Sequence, residues 1–151
     1  MTARLNILTV KTDLIQLFAE FSHKVIAAGL EKSLVELVEI RSSQINGCSV
    51  CLHMHTRDAR KHGESEERLY MLDAWQESPL YSPRERAALA WTEALTLLPT
   101  SRAPDDVYAL VQAEFSDEES VALTMLINVI NAWNRLGVGY RRSHPATATA
   151  A

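Results

Sequence analysis

Two cysteines and three histidines lie close together in residues 48–62. On an α-helix, residues three and four positions apart are neighbours, so Cys48, Cys51 and His55 would form one continuous stripe. His53 and His62 fall outside that stripe, and we interpret them as surface residues. The spacing therefore places two thiols beside an imidazole, a combination that supports redox chemistry with proton transfer.

The reactivity of such a thiol depends on its pKa and on its surroundings. A free cysteine of pKa about 8.5 is only about 3% thiolate at pH 7. Lowering that pKa to about 6 would raise the thiolate fraction roughly thirtyfold, but the nucleophilicity of the sulfur would fall by roughly tenfold. Most of the rate enhancement must therefore come from orienting an oxidant and protonating its leaving group. We expect His55, with a pKa near neutrality, to supply that proton.

The sequence leaves two choices open at this site. A helix N-terminus favours Cys48 as the nucleophile, whereas proximity to His55 favours Cys51. A histidine in a thiol–imidazole site also needs a carboxylate to fix its tautomer. The preceding helix offers Glu36 and Glu39, and periodicity alone does not choose well between them.

Composition limits the kind of protein that can carry this stripe. A chain of 151 residues, 47% hydrophobic and 23% charged, is typical of one globular domain with a packed core. A net charge of −4 without a basic cluster argues against a nucleic-acid partner. Charged residues interrupt the N-terminal stretch, so we expect no signal peptide, no membrane segment and a cytoplasmic protein. In a reducing compartment the cysteine pair indicates catalysis or metal binding rather than a structural disulfide.

Helical periodicity and helix end signals recur along the chain, and no useful strand alternation is present. The fold class is therefore predicted to be all-α. The helices are predicted over residues 9–28, 31–46, 48–62, 66–75, 83–98, 105–114 and 116–137.

Local signals fix several of these helix ends. Gly47 separates the second and third helices by a very tight turn, which predicts an αα-hairpin that carries the stripe. Capping boxes are predicted at Ser82 with Glu85 and at Ser116 with Glu119. The last helix is apolar nearly all round, so it must be buried by its own bundle or by another subunit.

The hairpin resembles the catalytic core of the AhpD-like alkylhydroperoxidases, within the carboxymuconolactone decarboxylase superfamily. Their signature is a Glu, eleven residues, a Cys, two residues, a Cys, three residues and a His. Residues 85–96 and 127–138 also resemble that family, so the likeness covers most of the chain. Every spacing of the signature is met here by Glu36, Cys48, Cys51 and His55.

The resemblance implies an AhpD-like bundle of about six to seven helices over residues 1–143, assembled as a homo-oligomer, either a trimer or a hexamer. Residues 144–151 are small, polar and without pattern, and we expect them to form a flexible tail. No cofactor is implied, whether metal, flavin or haem.

The resemblance also implies a function, the thiol-dependent reduction of alkyl hydroperoxides. Cys51 would be the peroxidatic thiol, passing through a sulfenic acid, and Cys48 would resolve it into a disulfide. Glu36 and His55 would form the proton relay. An external dithiol or a thioredoxin- or lipoyl-type protein would then reduce the disulfide.

Other interpretations use the same residues. The dithiol could serve a protein disulfide reductase or a redox sensor, and the superfamily also includes lactone decarboxylases that need no thiol. A helical assembly module with an inactive site, or two buried cysteines acting as small hydrophobic residues, needs no chemistry at all. A zinc site is disfavoured because Cys48, Cys51, His53 and His55 on one helix cannot surround an ion. A thioredoxin-like domain would require strands.

Residues outside the hairpin are assigned mainly to packing. We expect the three tryptophans to contribute to the core or to an interface rather than to a substrate site. We expect the polar residues of the last helix to hold helix ends and subunit contacts, although they could line the site. These residues are Trp75, Trp91, Trp133, Asn131, Asn134 and Arg135.

Overall fold

The structure is a computed structural model, and it describes residues 2–145. Over these residues it is all-helical, with eight α-helices, one 3-10 turn and no strand, which confirms the predicted fold class. The tail predicted for residues 144–151 lies outside the described residues from position 146 onward. The helices are α1 (Thr12–Ile26), α2 (Lys32–Asn46), α3 (Ser49–Lys61), α4 (Glu66–Met71), α5 (Pro83–Thr96), α6 (Leu98–Ser101), α7 (Asp105–Glu114) and α8 (Asp117–Gly139), with the 3-10 turn at Leu72–Ala74.

Most predicted helix ends agree with the structure to within a few residues, and three do not. The segment 66–75 changes from α-helix to 3-10 geometry at Leu72. A short helix, α6, forms where a break was predicted, and its proline lies in the first turn, where a missing N–H is tolerated. The last helix continues past Gly137 to Gly139, so Gly137 is not a helix stop.

The core is built around α2 and α8, which pack on each other and on the helices beside them. The middle of α8 is buried on several sides, as its apolar sequence predicted, and Asn128 faces solvent. Burial of each large aliphatic side chain contributes about 1.5–3 kcal/mol. Side chains that are almost fully buried there include Leu37, Ile40, Leu123, Leu126, Ile127 and Ile130.

The predicted αα-hairpin of α2 and α3 is present. Gly47 closes α2 with a φ of 66°, in the left-handed region that glycine adopts at little cost. Cys48 follows as the N-cap of α3 in extended conformation, and its N–H donates to the Ser43 carbonyl at 3.0 Å. The turn therefore leaves Cys48 immediately before the first residue of the new helix.

A buried amide network ties this turn to α8. The Asn46 side-chain amide donates to Asn131 Oδ1 and to Asn134 Oδ1, each at 2.9 Å. Asn134 in turn donates to Ser43 Oγ at 3.0 Å, and Asn131 to Thr96 Oγ1 at 3.0 Å. Since each buried amide has a partner, the network fixes the hairpin turn against α8 without leaving an unsatisfied group.

Both predicted capping boxes are present. Ser82 and Glu85 cap α5 reciprocally, and Ser116 and Glu119 do the same for α8. Although α8 has 23 residues, no helix within residues 2–145 is both long and apolar enough to cross a bilayer.

Candidate active site

The two cysteines are joined in a disulfide at the start of α3. Their Cα atoms are 5.4 Å apart, one helical turn along the chain. Cys48 is 1% exposed and Cys51 is 5% exposed, so both sulfurs are shielded from bulk solvent. The structure therefore represents an oxidised dithiol.

Cys51 lies in the wall of a cavity of about 290 Å³. The wall is formed by α1, α3 and α8, and most of its side chains are apolar. Cys51 and His55 both contribute to it, whereas Cys48 does not. A small molecule in the cavity would thus meet Cys51. The other lining residues are Leu8, Ala19, Ser22, His23, Ile26, Glu39, Val50, Met54, Val129, Ile130, Trp133 and Arg142.

Helix α8 covers the opposite side of the disulfide at Gly137. A Cβ atom at that position would lie 2.7 Å from Cys48 Sγ, closer than real Cβ contacts come. It would also lie 3.4 Å from Val50 Cγ1 and 3.7 Å from Cys51 Sγ. Position 137 requires a residue without a side chain, because the backbone of α8 passes directly over Cys48.

His55 lies one turn after Cys51 and is held by two carboxylates. Its Nδ1 atom is 3.1 Å from Glu36 Oε2 and 3.1 Å from Glu39 Oε2. Glu36 is the carboxylate that the family signature predicted. Glu39 is the more buried of the two and also lines the cavity. The sequence left open which of the two glutamates contacts His55. In the structure both of them do.

This environment changes the expected ionisation of His55. Burial by itself would lower the pKa of the imidazole, but hydrogen bonds and charge from Glu36 and Glu39 outweigh burial and raise the pKa to about 9. The expectation of a pKa near neutrality is therefore wrong, since it assumed one carboxylate. At pH 7 the ring is an imidazolium, which can stabilise a thiolate beside it or donate a proton.

The same three residues could also hold a cation. One ligand atom from each of Glu36, Glu39 and His55 lies within 4.8 Å of the others. His62 Nδ1 is 3.8 Å from Glu36 Oε1 at the outer side of this group. Distances of 3.1 Å are also those of an imidazolium that donates to a carboxylate. Hydrogen bonding accounts for the group without an ion.

The zinc interpretation of the cysteine segment does not fit this structure. The two sulfurs are bonded to each other, so they are not thiolate ligands. His53 points away from His55 and stacks on His144, with ring centroids 4.4 Å apart. His62 is exposed, as expected.

Two contributors to the site, Trp133 and Gly137, were not predicted from the sequence, and the contact of a third, Glu39, was left open. Glu39 carries a partial signal, because it follows Glu36 by three residues on the same helix face. Trp133 packs on Phe18 at 4.7 Å, as a packing residue should, but it also lines the cavity. The sequence around Gly137 does not show whether this glycine permits close packing or ends the helix.

The remaining assignments outside the hairpin agree with a packing role. Trp75 and Trp91 are buried in the core. Asn131 and Asn134 belong to the amide network and do not line the cavity. Arg135 is exposed.

Comparison with known proteins places this geometry in a family. Residues 12–94 match the model of the carboxymuconolactone decarboxylase family. The uncharacterized protein YdfG of Bacillus subtilis is 47% identical over 111 residues, which are 74% of this chain and 76% of YdfG.

Solved structures agree. A protein of unknown function from Agrobacterium tumefaciens, described as a proposed antioxidant defence protein AhpD, superposes with a TM-score of 0.94. It is 38% identical and covers 97% of this chain and 100% of its own. The debrominase Bmp8 has a TM-score of 0.81 at 20% identity, over 89% of this chain and 73% of Bmp8, and shares the fold alone. The chain therefore belongs to the carboxymuconolactone decarboxylase family and has the AhpD-like fold.

Proposed function

We propose that this protein is a thiol-dependent peroxidase that reduces organic hydroperoxides. The observation that supports it best is the position of Cys51. This residue lines an apolar cavity, is paired with Cys48 and precedes an imidazolium by one turn. An apolar cavity with a few polar groups is typical of small-molecule sites, and thiols activated by a nearby cation are the reactive ones.

The reaction begins from the reduced pair. The Cys51 thiolate attacks the terminal oxygen of R–O–O–H, the O–O bond breaks, and Cys51 becomes a sulfenic acid. The alkoxide leaves as ROH after it receives a proton from His55. The Cys48 thiol then attacks the sulfenic sulfur, which forms the disulfide and releases water. The two electrons of the dithiol thus reduce one hydroperoxide to one alcohol.

Glu36 and Glu39 position the proton in this scheme. Glu36 accepts a hydrogen bond from His55 Nδ1 at 3.1 Å, and Glu39 lies at the same distance as a second ion-pair partner, which fixes the orientation of the ring and keeps it charged. The proton that the ring donates is recovered from the thiols during re-reduction. The relay therefore has two carboxylates in place of the single glutamate of the signature.

An external dithiol closes the cycle by thiol–disulfide exchange. Its first thiolate forms a mixed disulfide with one cysteine, and its second thiol releases the reduced pair as the dithiol itself becomes a disulfide. We place this attack at Cys51, because Cys48 lies beneath Gly137 and outside the cavity. A thioredoxin- or lipoyl-type protein fits this role, and we expect the enzyme to act as a homo-oligomer.

The deciding experiment combines kinetics with mass spectrometry. Reduced protein is mixed with one equivalent of cumene hydroperoxide, and peroxide loss is followed by stopped flow. We expect wild-type protein to lose two hydrogens in the peptide that contains Cys48 and Cys51. Cys51→Ser should abolish peroxide reduction, and Cys48→Ser should yield a sulfenic acid that dimedone traps on Cys51.

Two outcomes would redirect the assignment. Unchanged peroxide reduction by Cys51→Ser would rule out the thiol mechanism, and lactone decarboxylation that this variant retains in full would favour acid–base chemistry of the lactone decarboxylase kind. Fast reduction of a protein disulfide without peroxide consumption would favour the reductase or redox-sensor alternative.

A chelator tests the cation alternative at Glu36, Glu39 and His55. Dialysis against EDTA should leave peroxide reduction unchanged, because no step of the thiol mechanism uses a metal ion. Loss of activity that added Zn²⁺ or Mn²⁺ restores would show instead that the three residues hold a catalytic ion.

A further inference from the structure

The guanidinium of Arg142 contributes to the wall of the cavity beside Cys51, and the proposed peroxidase mechanism does not use it. The wall is mostly apolar, and four titratable side chains contribute to it: His23, Glu39, His55 and Arg142. The charge of His55 is already compensated by Glu36 and Glu39, each of which lies 3.1 Å from its Nδ1 atom. Arg142 is half-buried and follows the last helix.

The end of α8 is shaped so that Arg142 returns toward the bundle. The Arg142 N–H donates to the Gly137 carbonyl at 2.9 Å, and the Arg141 N–H donates to the Val138 carbonyl at 3.1 Å. This pair of bonds is a Schellman motif, which reverses the chain at a helix C-terminus. Its left-handed position normally belongs to glycine but is occupied here by Arg141, with φ 53°.

A non-glycine residue in the left-handed region costs roughly 1 kcal/mol or more, and such strain is concentrated at functional sites. Gly139 lies only two residues earlier, so α8 does not end at the nearest glycine. The strained turn at Arg141 instead brings the next side chain to the cavity.

The N-terminal segment holds that turn in place. The Arg4 backbone N–H donates to the Tyr140 carbonyl at 3.0 Å, and the Arg4 side chain donates to the Gly139 carbonyl at 3.0 Å. Leu8, farther along the same segment, is part of the cavity wall. The backbone that carries Arg142 is therefore fixed by contacts at the far end of the sequence.

We propose that the cavity binds a small amphipathic carboxylate, with its apolar body against α1, α3 and α8 and its carboxylate paired with Arg142. The planar guanidinium matches a carboxylate through two parallel hydrogen bonds. Resting on the proposed function, the substrate would be the hydroperoxide of such an acid. Its apolar end would carry the peroxide toward Cys51.

The size of the cavity limits the body of this ligand. A volume of about 290 Å³ is at the lower end of the range for small-molecule sites. A single substituted benzene ring fits that space, whereas a long acyl chain would extend beyond it.

Binding is tested first, without any redox step, by calorimetry on the oxidised protein. The probe is 4-isopropylbenzoate, and its methyl ester is the neutral match. We expect the acid to bind wild-type protein about ten- to a hundredfold more tightly than the ester, the range of a charge-assisted hydrogen bond. Arg142→Gln should remove this preference, and Arg142→Lys should keep part of it.

Arg135→Gln is the matched control, because Arg135 is an exposed arginine of α8 that does not line the cavity. It should retain the preference for the acid. Equal affinities of acid and ester for wild-type protein, or an equal loss of the preference in Arg135→Gln, would overturn the proposal.

Turnover is tested second, with cumene hydroperoxide bearing a para-carboxylate and with its methyl ester. We expect a higher kcat/KM for the acid in wild-type protein, and equal values in Arg142→Gln. If the acid probe binds preferentially but neither hydroperoxide is reduced, the carboxylate site stands and the peroxidase function fails. If both hydroperoxides are reduced equally and no binding preference exists, the peroxidase stands and the carboxylate site fails.

Discussion

The imidazole of His55 is the residue that connects the geometry of the site with its proposed chemistry. A histidine between two carboxylates is a different acid from a histidine with one, because the second negative charge keeps the ring protonated well above neutrality. It is then almost fully protonated at pH 7, so it can donate a proton but has no free site to accept one. Peroxide cleavage needs a proton at the departing oxygen, so this ionisation suits the reaction.

Removal of either carboxylate should lower the pKa of His55, so that less of the ring is protonated at pH 7, and should also loosen the hold on its orientation. Glu36 and Glu39 lie at the same distance from His55 Nδ1, so we expect Glu36→Gln and Glu39→Gln to reduce peroxide turnover at pH 7 by similar factors. General acid catalysis contributes about 10²–10⁴-fold, and losing one of two partners should remove part of it, about tenfold or more. In each variant NMR titration should show a lower pKa of His55. Full activity and an unchanged pKa in Glu39→Gln would assign the relay to Glu36 alone.

The ionisation of His55 also makes a prediction for stability. Its pKa is about 9 in the folded protein against 6.5 unfolded, and at 1.36 kcal/mol per unit this corresponds to on the order of 3 kcal/mol. Because the folded pKa is raised, this stabilisation is complete below pH 6.5 and is lost as pH rises through 9. The stability difference between wild type and His55→Gln, both oxidised, should therefore shrink from pH 6 to pH 9.5. Urea denaturation measures it, and a constant difference would contradict the ion pair.

At the scale of elements, the contact between α3 and α8 determines the surroundings of the disulfide. Gly137 lets the α8 backbone approach Cys48, and the amide network of Asn46, Asn131 and Asn134 holds the two elements in that relation. The result is asymmetric, with Cys48 covered by a helix and Cys51 facing the cavity. The chemical difference between the two thiols is thus a product of helix packing.

Gly137→Ala tests this contact directly. The new Cβ would lie 2.7 Å from Cys48 Sγ, which the disulfide prevents from rotating away, so we expect a loss of about 1–3 kcal/mol in the oxidised protein. Reduction frees the Cys48 side chain, and the loss should then be smaller. Gly139→Ala is the control, because its Cβ would meet nothing within 4 Å. Denaturation curves of both variants in both redox states are required, and equal stabilities of the two oxidised variants would refute the close approach.

The elements themselves were largely predictable because their signals are local. Capping residues, the glycine at position 47 and the helical spacing of Cys48, Cys51 and His55 are all read within a few residues, and the structure bears them out. The role of Gly137 was not predictable. A glycine that makes room for a neighbouring sulfur atom cannot be told from a glycine that ends a helix by sequence alone. The contact of Glu39 with His55 depends on how α2 is rotated against α3, and periodicity leaves that rotation open.

At the scale of the whole molecule, the cavity depends on parts of the chain that no local signal connects. Its wall takes Leu8 from the N-terminal segment, several residues of α1 and Arg142 from beyond α8. The outer side of α1 remains uncovered in the single chain. Leu14, Leu17 and Phe21 lie there at helical spacing, with 58%, 63% and 42% of their surface exposed. An apolar stripe of this kind is typical of a protein–protein interface.

We expect this α1 stripe to form the interface of the predicted homo-oligomer. Leu17→Glu would place a charge in the centre of the stripe that assembly would bury, so light scattering after size exclusion should give the mass of a monomer, against a trimer or hexamer for wild type. Val121→Glu is the matched control, since Val121 is 64% exposed on α8 and outside the stripe. Because α1 also forms one wall of the cavity, the monomer should have a higher KM for organic hydroperoxides than the assembled protein. A monomeric wild type, or a Leu17→Glu variant that keeps its assembled mass, would place the interface elsewhere.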